Sequence, residues 1–159
     1  MNDPKRELLR HIVATAAYRG RNPLANAPAN FGDFKIGEST KTPLQILSHM
    51  GDLYEWGLSQ LAGDEKWTDS EVLSWGDEVK RFFRTLSEFD EYLASGKEIH
   101  VNLENLIQGP VADSLTHIGQ IAMLRRLANS PVKGENFFKA KIEIGRVSED
   151  QESPAIEFD

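Results

Sequence analysis

Apolar residues recur at helical spacing through four stretches of the chain, each bounded by residues that favour helix ends. The first helix is predicted from about Pro4 to Tyr18. Asp3 is placed to cap it, Pro4 fills the first helical position, Leu8, Leu9, Ile12, Val13 and Ala16 form its stripe, and Gly20 marks its end. The second starts at Thr42-Pro43-Leu44-Gln45, a capping-box pattern, and runs to about Ala62 before Gly63. The third is predicted to start at a similar pattern, Thr68-Asp69-Ser70-Glu71, and to reach Gly96, with Val72, Trp75, Val79, Phe82, Phe83, Leu86, Phe89 and Leu93 on one face. The fourth spans roughly Leu103 to Asn129. Gly109-Pro110 should kink it, because proline removes a backbone donor and clashes with the preceding turn.

This pattern predicts an all-α four-helix bundle with a long, turn-rich connection from Arg21 to Lys41 between the first two helices. Beyond the helices, Ala140 to Ile144 alternates like a short strand that would pair near Phe34, and the polar end is expected to be loose. The chain is therefore divided into a bundle domain at 1–147 and a polar tail at 148–159. The apolar arc of the second helix, through Leu47, Met50, Leu53, Tyr54 and Leu58, is wider than one core face requires. Part of it, including Leu47, Tyr54 or Leu58, is expected to be buried in a homodimer.

Composition narrows the chemistry. With a net charge of −7 and scattered basic residues, no nucleic-acid partner is expected. The chain has no apolar run of membrane-spanning length, so no membrane partner is expected either. Its first twenty residues lack a secretory pattern and it contains no cysteine, so a cytoplasmic location is expected. Without cysteine there is no thiolate ligand and no cysteine nucleophile, and any sulfur chemistry must come from a cosubstrate.

One feature of the fourth helix conflicts with simple packing. Taking Asp113 as reference at 100° per residue, His117 falls at roughly 40°, Gln120 at roughly −20°, and Leu106 and Leu124 at roughly 20°. A carboxylate in the middle of an apolar arc loses several kcal/mol of solvation unless it is paired or metal-bound. His117 is one candidate partner. His49 is the second, at the margin between the apolar arc of its helix and a polar strip of Ser48, Asp52, Glu55 and Ser59. Three such ligands from two facing helices make a metal site, while Asp113 and His117 alone make a closed hydrogen-bonded pair. His11 and His100 are read as structural or solvated, Trp56, Trp67 and Trp75 as packing residues, and Arg125-Arg126 as partners of a helix C-terminal dipole.

The stretches "HMGDLYEWGLSQ" and "DSLTHIGQIAMLRRL" resemble motifs of the DinB/YfiT-like superfamily of metal-binding four-helix bundles, a similarity covering roughly Glu7 to Arg146. In that superfamily one histidine comes from the second helix and two from a His-x-x-x-His pair followed by glycine and glutamine. His49 and His117 match two of these ligands, and Asp113 stands where the first histidine of the pair would be. The resemblance implies a metal site of His49, Asp113 and His117 for one divalent ion, zinc, nickel, iron or manganese, with Gln120 in support. It also implies activation of a low-molecular-weight thiol for transfer or isomerisation on a small-molecule substrate. A non-catalytic ligand-binding module and a metal-dependent hydrolase would need the same ligands. No residue stands out as a separate general base, although Asp52 and Glu55 are placed to relay protons.

Overall fold

The computed structural model describes residues 3–158. They form α1 (Pro4–Leu24), α2 (Pro43–Ala62), α3 (Trp75–Ala94), α4 (Leu103–Leu106) and α5 (Ala112–Leu127), with a π turn at Ile107–Val111 between the last two. The only sheet among these residues is an antiparallel pair, β1 (Gly134–Glu135) and β2 (Glu157–Phe158). The fold is all-α. The four long helices pack α2 on α3, α3 on α1, α1 on α5 and α5 on α2, around a core that includes Leu9, Val13, Leu47, Met50, Tyr54, Phe82, Leu86, Phe89 and Ile121.

Helix starts follow local chemistry. Asp3 accepts from the Lys5 N–H at 3.0 Å, and Thr42 and Gln45 form a complete capping box. Gly20 does not end α1, which runs on to Leu24. A Cβ at this position would lie 3.3 Å from Phe82 Cε1, so glycine serves here for close helix approach. Leu8, assigned to the buried stripe, is exposed.

The third helix starts later than its first capping pattern predicts. Ser74, whose Oγ accepts from the Asp77 N–H, caps α3, and Thr68 to Leu73 is an extended strap. The strap is held across α2 by Ser70, whose N–H donates to Asp52 and whose Oγ accepts from Arg81 at 2.9 Å. Val72 is consequently exposed. The polar strip of α2 is also not a solvated face. Ser48 and Asp52 are buried, and Arg81 donates to the Ser48 carbonyl and to Asp52 and Glu55.

Leu47 and Tyr54 are fully buried within their own chain, and Leu58 packs against the same core. The wide arc of α2 is used by α3 on one side and α5 on the other, so Leu47 and Tyr54 are not free for a partner subunit. The tail differs from expectation as well. Ala140 to Ile144 is not a strand, and Glu157–Phe158 pairs with Gly134–Glu135. Arg146 holds the intervening segment through Glu152 at 2.7 Å and the Asp150 carbonyl at 2.9 Å. Arg125 is buried and donates to the carbonyls of Pro23 and Ala25, so it ties the end of α1 to the end of α5 rather than only offsetting a dipole. Among the described residues, no helix is long and apolar enough to cross a membrane.

Candidate metal centre

The site is made by α2 and α5, and the break before α5 sets its geometry. Pro110 has no N–H and disfavours helical backbone at the residue before it, so Gly109 adopts φ −92° and ψ −108° and the chain closes a π turn. A π turn accommodates one extra residue, which rotates everything after it by about 100° relative to a continuous α-helix. Leu106 therefore does not share the arc of Asp113. It is buried, whereas the buried residues of α5 are Ser114, Ile118, Ile121, Leu124 and Arg125. Asp113 is not in the middle of a dry face, as the helical wheel predicts. Its side chain is at the rim, 45% exposed, with that of His117 at 15%.

At this rim the three expected ligands converge. His49 Nε2 lies 3.6 Å from one Asp113 carboxylate oxygen and His117 Nε2 lies 3.3 Å from the other. The His49 and His117 rings stand 5.2 Å apart, nearly perpendicular. One donor atom from each residue falls within 4.8 Å of the other two, and the group can hold a metal ion. Four ligands around a cation at about 2.0–2.1 Å are separated from one another by about 3.4 Å, and each histidine stands near that distance from one of the two Asp113 oxygens.

Gln120 Oε1 lies 2.8 Å from His117 Nδ1, so in the tautomer with the proton on Nδ1 that N–H donates to Gln120 and Nε2 is left for a ligand on the side of Asp113. A lone pair and a carboxylate oxygen 3.3 Å apart repel unless a proton or a cation lies between them. Burial lowers the pKa of His49, and the nearby charges of His117 and Lys41 act in the same direction against an opposing effect from Asp113. The shift favours the neutral, ligating form of His49. Removing the Gln120 carbonyl with Gln120→Leu should weaken metal affinity by about 10- to 100-fold without changing the ligand set, as measured by competition against a chelator.

The surroundings leave room for a ligand. A cavity of about 430 Å³ touches Asp113 from the side of the π turn, between Leu53, Trp56 and Pro110. A second, of about 740 Å³, touches His117 and Gln120 from the other side. Trp67, expected only as packing, stands 5.9 Å from the His49 ring and 6.1 Å from Trp56, so the strap before α3 walls the site. Its position follows from Ser70 and Arg81, a tertiary restraint that spacing does not reveal. Asp52 and Glu55, expected to be placed for proton relay, are both paired with Arg81. His11 is exposed, and His100 packs its ring against Gly63.

In comparisons with known proteins, no family model, no curated protein and no solved structure matches this chain.

Proposed function

We propose that the protein binds one divalent cation through His49, Asp113 and His117 and uses it to activate a small thiol for transfer or isomerisation on a small molecule. The observation that carries this reading is the convergence of one donor atom each from His49, Asp113 and His117 within 4.8 Å of one another, with Gln120 on the opposite ring nitrogen of His117. The DinB/YfiT-like resemblance of the two motifs points to the same chemistry. A divalent cation supplies a Lewis acid that lowers the pKa of a thiol or water reaching it. Asp113, at 45% side-chain exposure, leaves the approach open, while His49 and His117 are supported by the packed helices behind them.

A thiol is favoured over water because Asp113 is the one carboxylate lining the two cavities at the site, Asp52 and Glu55 being held by Arg81. A free thiol has a pKa of about 8.5, against 15.7 for bulk water, so it needs far less help to become a nucleophile at neutral pH. The chain's lack of cysteine means that the thiol is a cosubstrate. The test is a screen of small thiols with electrophilic acceptors, using protein loaded with zinc, nickel, iron or manganese and the same protein after chelation. Turnover that requires both thiol and metal supports the reading. Metal-dependent turnover of ester or amide substrates without thiol assigns a hydrolase instead. Metal binding without turnover of either kind leaves a binding module.

A further inference from the structure

The cavity of about 740 Å³ beside His117 is lined by both polar and aliphatic side chains. Along α5, His117, Gln120, Leu124 and Leu127 follow one another on one face, so the cavity passes from the metal ligands to aliphatic side chains over ~15 Å at 1.5 Å per residue. Ile36 from the long connection, Ile46 from α2 and Met123 complete the apolar part. Ile36, Met123 and Leu127 are 54%, 56% and 49% exposed, three large apolar side chains left in solvent around a single concavity. Its volume is in the range of small-molecule sites. In a chain of net charge −7, its lining contains one cation, Lys41, and no acid. Lys41 lines this cavity together with His117 and Gln120.

We infer that this cavity takes the aliphatic body of an amphiphilic substrate about ten carbons long, with an anionic head directed to the metal ligands. The role of the head rests on the metal reading above, whereas the seating of the body on Ile36, Met123 and Leu127 does not. A straight-chain carboxylate is the simplest probe of both.

The experiment titrates the full chain, zinc-loaded and chelated in parallel, with butanoate, hexanoate, octanoate, decanoate and decyltrimethylammonium below their micellar concentrations. Binding is followed by calorimetry and by the fluorescence of Trp67 and its neighbours. Affinity is expected to rise about fourfold per added methylene up to decanoate, as each buries against the wall. The ammonium head should bind at least tenfold more weakly than decanoate. Met123→Gln with Leu127→Gln, both at exposed positions, should weaken decanoate at least tenfold while leaving zinc content, butanoate binding and the thermal midpoint unchanged. A chain-length slope that survives chelation keeps the inference even if the metal reading fails. A flat slope in protein that holds zinc overturns the inference alone. Decanoate binding indifferent to the double substitution, or a dimer in sedimentation that the double substitution dissolves, also overturns it.

Discussion

Replacing Arg81 with methionine should destabilise the fold by about 3–5 kcal/mol, because it leaves buried carboxylates without their cation. The Glu78 side chain is 0% exposed and that of Asp52 is 8% exposed, and both are paired with the Arg81 guanidinium. Burial opposes the charge of Arg81, but hydrogen bonds to Glu55 and Asp52 more than offset it and hold the guanidinium above its ordinary pKa. The side chain also lies against the backbone of α2. A Cβ at Gly51 would come within 2.9 Å of Arg81 Nη1, so this glycine makes the approach possible. Urea unfolding monitored by circular dichroism measures the loss. Adding Asp52→Asn and Glu78→Gln to Arg81→Met should recover part of it, since the cost lies in uncompensated charge rather than in lost packing. If Arg81→Met alone unfolds at the wild-type midpoint, the network contributes nothing.

His117→Ala should abolish metal binding. It removes one of three ligands and breaks the contact with Gln120 that orients the site, leaving one ligand on each of two helices. Asp113→Asn should weaken binding strongly, since it removes the one anionic ligand, whereas His11→Ala and His100→Ala should leave metal content unchanged. Stability should follow the metal. A cation that binds only the folded state adds about 2.7 kcal/mol at a hundred times its dissociation constant, so zinc should raise the thermal midpoint of the wild type and leave that of His117→Ala where it was. Equal zinc-induced shifts in both proteins would place the metal elsewhere.

The parts of this site legible in the sequence were those set by local chemistry. The starts of α1 and α2 follow from Asp3-Pro4 and Thr42-Pro43, and the break before α5 follows from Gly109-Pro110. The meeting of Asp113, His117 and Gln120 was also legible, because an i, i+4 pair and an i, i+3 contact on one helix are fixed by helical geometry. Burial was not legible. A helical wheel assumes constant phase, and the π turn shifts the phase between Leu106 and Asp113, so a residue assigned to the core is at the rim. The strap from Thr68 to Leu73 and the roles of Arg81 and Arg125 depend on partners eighteen or more residues away or on another helix. The β1–β2 pairing joins two-residue strands, too short for alternation to mark.

Anomalous diffraction at the metal edge, from crystals grown after loading with one equivalent of zinc, tests the central claim most directly. One peak per chain is expected, within about 2.0–2.2 Å of His49 Nε2, His117 Nε2 and an Asp113 carboxylate oxygen. A map with no peak there, and with His117 still lying between Asp113 and Gln120, would show a closed polar pair and remove the proposed activity with the site.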